Sequence, residues 1–363
     1  MRIGITFDLK DCQSGADLPD DWQEEFDSPQ TIRAIAEVLQ QLGHEPMLLG
    51  DGPALLSRLV ADPPDFVFNF AEGQGVSRCR EARVPALLEL LGIPYSGSDP
   101  LCLAATLDKD VARRLVASHG ISIPPGFVVP PPAECMQPPG YAARSKLALL
   151  HETDSIADEL TTASQALHFP VVVKPAWEGS SKGIRQTSLV GDRSSLQQAV
   201  HAIHRRYHQP ALVEEYIAGE EVTVGIVGNN PPRVLGILHV VPRQPCEHFL
   251  YSLEVKRDYR RRVRYESPPR LPATVLARIE QAALRAFHAL GCRDVCRLDF
   301  RLRDGEPYFL EANPLPGLHP EDSDLVILAR LNGWSYKQLI ASILDAALQR
   351  YAGCAAISSF VGL

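Results

Sequence analysis

Between Arg297 and Asn313 the chain carries a polar–apolar alternation interrupted by one Asp-Gly step, and few folds accommodate that pattern. Arg297-Leu298-Asp299-Phe300-Arg301-Leu302 alternates, Asp304-Gly305 turns the chain, and Pro307-Tyr308-Phe309-Leu310-Glu311 brings it back. Two runs of this kind around Asp-Gly form a β-hairpin. Side chains alternate along a strand, so Arg297, Asp299 and Arg301 share one face. Pairing across the hairpin brings Glu311 and Asn313 close to Asp299. Two carboxylates and an amide carbonyl are hard oxygen donors that suit magnesium, which also takes water and phosphate oxygens. The same residues also fit a solvated hairpin face with ordinary charges, and the hairpin alone does not choose between the two.

A chain of 363 residues exceeds one small core and predicts two or three domains. Hydrophobic residues at 45% and charged residues at 22% are those of a soluble globular protein. A formal charge of −8 argues against a general nucleic-acid or membrane-surface binder, yet allows a local basic site for phosphates. No apolar run approaches the roughly 20 residues that span a bilayer. Met1-Arg2-Ile3-Gly4-Ile5 runs directly into a strand pattern, so no signal peptide and a cytoplasmic location are expected. The eight cysteines are scattered. Cys292 and Cys296 form a lone CxxxC with no second pair, which favours reduced, mostly buried thiols over zinc.

Residues 3–7 read as a buried strand. After a polar loop, Ser28 caps a helix over Thr31–Leu42 with Pro29 at its first position and Gly43 at its end. Strands at 45–49 and 66–70 with a helix at 54–61 between them complete a strand–helix alternation, which predicts an open parallel sheet covered by helices. A helix at 81–91 and the segment Ile93–Ser98 end a first domain, 1–98. A second domain, 99–212, holds a helix over Leu107–His119, an exposed proline-rich loop at 129–140, helical residues near 155–167, and strands at 171–175 and 184–190. The third, 213–363, follows the strand that spans 211–217. It holds strands at 221–228 and 233–241, a helix at 272–290, the hairpin, and a helix at 335–351. The expected class is α/β: an N-terminal open parallel sheet followed by two α+β domains.

Three further motifs bear on chemistry. Lys174-Pro175-Ala176-Trp177-Glu178-Gly179-Ser180-Ser181-Lys182-Gly183 follows a buried strand; its glycines and serines let backbone N–H groups face an anion, and Lys174 adds positive charge. It lacks Walker A spacing and lies between strands. A Gly-Ser hairpin with solvated lysines is the alternative. Leu212-Val213-Glu214-Glu215-Tyr216-Ile217, followed by Glu220-Glu221, is an apolar strand ending in carboxylates suited to ribose hydroxyls, or an edge strand charged against aggregation. Leu107-Asp108-Lys109 starts a helix, where Lys109 can reach a phosphate.

In this order these residues resemble the ATP-grasp superfamily, and within it the D-alanine–D-alanine ligases. The resemblance runs from Phe66 to about Tyr351 and includes Asn313-Pro314-Leu315-Pro316-Gly317 after the hairpin. It implies three domains with ATP held between two of them. Lys109 and Lys174 are implied to bind phosphates, Glu214 to contact adenine, Glu215 and Tyr216 to line that region, and Glu221 to hold the ribose. Glu178, Ser181 and Lys256 join this ATP set, and Ser180 lies on a mobile loop over the site. Asp299, Glu311 and Asn313 are implied to bind two Mg2+ ions, with Mn2+ as an alternative. Arg297 is implied to stabilise an acyl-phosphate, Gly317 to offer a backbone N–H near the reacting carboxylate, and Ser180 and Lys256 to assist. The implied partners are small amino acids, with no nucleic acid and no membrane; a homodimer is compatible.

The amino-acid half departs from the family pattern. The family's Glu-Val-Ser loop, whose Glu holds a substrate ammonium, has only an approximate counterpart in Glu24 or Glu25. Its Leu-His-Gly turn is replaced by Phe70-Ala71-Glu72-Gly73, and its Lys-Tyr lid pair by Lys256-Arg257, followed by Arg260, Arg261, Arg262 and Arg264. A second carboxylate would lie near Arg297 and Asp322 or Ser323. Three readings follow: a D-alanine–D-alanine ligase, a ligase for another amino acid or natural-product acceptor, and a nucleotide-binding regulatory module without catalysis. The intact set of Arg297, Asp299, Glu311 and Asn313 favours the ligases.

Overall fold

The computed structural model describes residues 1–10, 18–132 and 165–358, with side chains described to residue 352. The chain opens as β1 (Arg2–Thr6), α1 (Pro29–Gln41), β2 (Glu45–Leu48), α2 (Ala54–Ala61), β3 (Phe66–Asn69) and α3 (Arg83–Leu91). It continues as α4 (Pro100–Leu107), α5 (Lys109–Ser118), β4 (Gly126–Val129), β5 (Val171–Pro175), β6 (Leu189–Val190), α6 (Arg193–Tyr207) and β7 (Ala211–Glu215). The remainder is β8 (Glu221–Val227), β9 (Arg233–Pro242), α7 (Leu253–Arg257), α8 (Tyr259–Arg262), β10 (Val263–Glu266), α9 (Ala273–Ala289), β11 (Val295–Arg303), β12 (Glu306–Asn313), α10 (Asp324–Leu331) and α11 (Tyr336–Ser358).

The strands form three sheets. The first is parallel, in the order β2-β1-β3. The second, β4-β7-β5-β6, and the third, β10-β9-β8-β11-β12, are antiparallel. This is the mixed α/β class expected. The N-terminal parallel sheet arises because β1 and β3 are almost wholly buried and their centres, Ile3-Gly4-Ile5 and Phe66-Val67-Phe68, are apolar, as strands covered on both faces must be. Ile3, Ile5, Phe66 and Phe68 pack with Ile35 and Leu39 of α1 and also with Leu339, Ile340 and Ile343 of α11. The end of the chain therefore closes the core begun by its start. Ala112 and Val116 of α5 pack with α9 against Val224, Leu298, Phe300 and Phe309 of the five-stranded sheet. Helix α6 covers the four-stranded sheet through Leu196, Val200 and Ile203.

Local chemistry sets the boundaries. Ser28 accepts the N–H of Thr31 and starts α1. The helix expected over Leu107–His119 is α5, Lys109–Ser118, and an unexpected helix, α4, ends at Leu107 just before it. Asp108 between them is extended, and its carboxylate accepts the N–H groups of Asp110 and Val111 at 3.0 Å. The strand expected at 184–190 is a correction: only Leu189–Val190 is strand. Ser188 accepts the Arg185 N–H at 3.0 Å, and its hydroxyl reaches the Gly183 carbonyl, so the stretch closes on itself. Most of the helix expected near 155–167, and most of the loop at 129–140, lie outside the described residues; residues 165–167 are described and are not helical.

Candidate active site

The hairpin supplies the centre of the site. Asp304 and Gly305 have φ of 55° and 74°, the left-handed pair that a two-residue hairpin turn requires. The register holds Arg301 opposite Tyr308 and Phe300 opposite Phe309, then shifts by one residue through a bulge after Asp299. Without that bulge Asp299 would face Leu310. With it, Asp299 faces Glu311 and Arg297 faces Asn313. The Asn313 amide lies 3.3 Å from both the Asp299 and the Glu311 carboxylates. Arg297 Nη2 lies 2.9 Å from Asp299 and 3.5 Å from Glu311, and Thr223 donates to Asp299 at 2.7 Å. Burial pushes the Asp299 carboxyl up despite Arg297. Burial would also raise Glu311, but Lys109, Arg297 and Lys174 together hold it well below the usual range.

These donors fit a hard divalent cation. Two carboxylates and a side-chain amide, with Arg297 and Lys109 paired to them, are the sparse oxygen-donor set that magnesium takes together with water. Among the described residues no group of three or more His, Cys, Asp or Glu side chains converges on a metal position. Cys292 and Cys296 belong instead to a buried thiol cluster, with Cys102 Sγ at 3.8 Å from Cys292.

Around this centre lie two adjoining clefts. The first encloses about 750 Å³ of empty space open to solvent and runs between the four- and five-stranded sheets. Lys174, Ser181, Glu214, Glu215, Tyr216, Glu221 and Lys256 line it together with Arg297, Asp299 and Glu311. Lys174 Nζ pairs with Glu214 at 2.5 Å. Glu215 takes both the backbone N–H and the ring nitrogen of His168 at 2.8 Å. Arg301 is buried under the cleft floor. It bonds Glu221 at 2.7 Å, the Tyr216 hydroxyl at 2.8 Å and the carbonyls of Ile217, Gly219 and Phe249. Its guanidinium also stacks 4.5 Å from the Tyr216 ring. Burial lifts Glu221 to about 7, with Arg301 opposing and Asp299 reinforcing.

The second cleft, with about 440 Å³ of space that includes its opening to solvent, is lined by Glu72, Glu81, Lys109, Glu178, Ser180, Asn313 and Gly317, again with Arg297 and Glu311. Lys109 bonds the Glu178 carbonyl and lies 3.3 Å from Glu311. Arg80 is 2% exposed and bonds Glu25 and the Trp177 carbonyl, both at 2.6 Å, with Glu178 at 3.3 Å. Lys182 lies 2.8 Å from Glu178 and 3.6 Å from Glu25. Burial alone would raise the Glu25 carboxyl, but Arg80 and Lys182 reverse this and hold it at about 2.

The Gly-Ser loop spans the two clefts. Ser180 and Ser181 have φ of 50° and 59° and are the central residues of a tight turn that the Lys182 N–H closes on the Gly179 carbonyl at 2.8 Å. The loop is tied to segment 250–257, where Ser181 reaches the Tyr251 carbonyl and Leu253 donates to the Ile184 carbonyl at 2.9 Å.

The expected ATP and metal residues thus gather in two connected clefts. The expected amino-acid residues do so less completely. Glu72 lines the second cleft, whereas Glu25 is engaged beneath it by Arg80 and the Gly179 N–H. Arg257 turns outward to Glu24 at 2.7 Å, and Asp322 to Arg260 at 2.8 Å; neither lines a cleft. Ser323 accepts the His319 N–H, and its hydroxyl lies 2.9 Å from where a Cβ on Gly317 would stand. Sequence alone gives no role to Arg80, Glu81 or Thr223, and it places Arg301 on the face of Arg297 and Asp299 without assigning it a task.

Residues 143–345, more than half of the chain, match the family model described as D-ala D-ala ligase C-terminus. The chain is 35% identical to an uncharacterized protein, y4sG, of Sinorhizobium fredii over 88% of each chain. It is 33% identical to a D-alanine–D-alanine ligase of Gloeobacter violaceus over 92% of this chain and 98% of that one. A solved D-alanine–D-alanine ligase from Bacillus anthracis complexed with ATP has the same fold, with a TM-score of 0.67, 23% identity, and coverage of 97% of this chain and 99% of the other. The chain therefore belongs to the D-alanine–D-alanine ligase family of ATP-grasp carbon–nitrogen ligases.

Proposed function

We propose that the protein uses ATP to join the carboxylate of one small amino acid to the amino group of another, D-alanine being the substrate its relatives' names suggest. The observation that carries this reading is the pair of adjoining clefts that share Arg297 and Glu311. ATP lies in the first cleft, its base beside Glu214, Glu215 and Tyr216 and its ribose at Glu221. Its phosphates point to Lys174, Lys109, Lys256 and the N–H groups of Ser180 and Ser181. Glu178 acts through its backbone carbonyl, which orients Lys109. Asp299, Glu311 and Asn313 would hold Mg2+, which when bound offsets the negative charge of the phosphates. Three domains, with breaks near residues 98 and 212, belong to this reading, as does a cytoplasmic location, which the free thiols support.

In the first step a carboxylate oxygen attacks the γ-phosphorus and ADP leaves, giving an acyl-phosphate. Both reactants are anionic, and Arg297, Lys109 and Lys174 converge where that charge accumulates. The amine then attacks the acyl carbon, loses a proton, and inorganic phosphate departs. Water would destroy the acyl-phosphate, and the contact of the Gly-Ser loop with segment 250–257 covers the site against it. The test is release of ADP and phosphate with D- and L-amino acids, singly and in pairs. Turnover with at least one amino acid, abolished by Asp299→Ala, is expected. ATP binding without turnover on any acceptor, or full activity in Asp299→Ala, would overturn the proposal.

A further inference from the structure

The charges around the second cleft do not balance. Lys109 and Arg297 are engaged by Glu311 and Asp299. Arg80 and Lys182 are engaged by Glu25 and Glu178. Two acids remain. Glu81 is 7% exposed, and Glu72 is partly buried; both line the cleft. Among the described residues neither carboxylate makes a hydrogen bond or an ion pair. A buried carboxylate without a partner is costly, and it persists in a site when a ligand supplies the missing charge.

We infer that Glu81 and Glu72 form a cation subsite that selects an amino acid carrying two ammonium groups, a diamino acid, as one of the two substrates. This rests on the ligase reading above. A substrate's carboxylate belongs beside Arg297 and Gly317, which line the same cleft. An α-amino acid with a neutral side chain brings one ammonium and leaves the second buried acid uncompensated. A side-chain ammonium completes the balance. Glu25 cannot serve instead, because Arg80, Lys182 and the Gly179 N–H already engage its oxygens. Burial lifts the Glu81 carboxyl to about 8 and that of Glu72 well above its usual range, where Glu25 and Glu81 reinforce the rise.

The experiment uses the full chain with ATP and Mg2+. It measures ADP release with D- and L-forms of alanine, 2,3-diaminopropionate, 2,4-diaminobutyrate and lysine, alone and each paired with alanine. At least one diamino acid is expected to exceed alanine in kcat/KM by about tenfold or more. A charged hydrogen bond lost at a buried site corresponds to about 10- to 100-fold. Glu81→Gln should therefore raise the KM for that diamino acid by this factor while the KM for ATP stays within about twofold. Glu72→Gln, at a more exposed position, should reduce the preference in the same direction. Alanine preferred by the wild type, or a diamino-acid preference untouched by both substitutions, would overturn the inference and leave the ligase reading intact. No turnover with any amino acid would overturn both.

Discussion

Arg80 is the cation on which the buried acids beneath the second cleft depend, and its removal gives a worked prediction. Its guanidinium is 2% exposed, sits 2.6 Å from Glu25 and 3.3 Å from Glu178, and also bonds the Trp177 carbonyl. Arg80→Met keeps much of the volume and removes the charge. Breaking a buried pair by deleting one partner costs roughly 3–5 kcal/mol, because the remaining carboxylate is left buried and unpaired. The pH dependence follows from Glu25. In the wild type its pKa is held at about 2, below the ordinary 4.5. Its contribution is present above about pH 4.5 and lost as pH falls through about 2. Without Arg80 burial prevails and lifts Glu25 above its ordinary value, so the variant loses stability as pH rises. Guanidinium unfolding at about pH 4.5 and about pH 7.5 should show the gap between wild type and variant widening at the higher pH. A gap under about 1 kcal/mol, or an equal gap at both values, would refute the reasoning.

Two further outcomes are expected. Burial and Asp51 raise the Asp8 carboxyl to about 6 although Gly73 donates to it at 2.7 Å, so its stabilising contribution is lost as pH rises from about 4 through about 6. Asp8→Asn should raise the thermal midpoint at about pH 7.5, by up to about 3 kcal/mol in stability, and change little at about pH 4; an unchanged midpoint at the higher pH would count against the assignment. Gly219 has φ of 139°, and an added Cβ would stand 1.9 Å from the Leu302 carbonyl oxygen. Gly219→Ala should cost about 2 kcal/mol or more and weaken ATP binding through the neighbouring Glu221 and Arg301, which melting with and without ATP would show.

Much of this site was legible before the structure, and the reasons are physical. The Asp304-Gly305 turn fixes a hairpin by backbone conformation, and alternation then places Arg297 and Asp299 on one face. Lys174 and the Gly-Ser loop signal an anion site because small residues after a buried strand leave N–H groups free. The bulge that sets Glu311 opposite Asp299 was not legible: it breaks the alternation at Leu310–Glu311, where apolar Leu310 follows apolar Phe309 and the sequence does not tell a bulge from a locally buried pair. Asp108 was read as a helix start, and its role in dividing α4 from α5 appears only when its carboxylate meets the N–H groups of Asp110 and Val111. Glu81 opens the helix expected at 81–91 and Arg80 stands just before it, where charged residues are common. Their importance depends on Glu25, Glu178 and Glu72, which lie far away in sequence and meet them only by tertiary packing.

In the proposed reaction a carboxylate held between the two clefts attacks the γ-phosphoryl group directly. The measurement is isotope transfer. The amino acid that supports turnover is supplied with 18O in its carboxyl group, and the inorganic phosphate released is analysed by mass spectrometry. Attack by the carboxylate, followed by departure of phosphate from the acyl carbon, places one labelled oxygen in each phosphate formed. Phosphate that carries no label from the amino acid, with product still formed, would contradict the account.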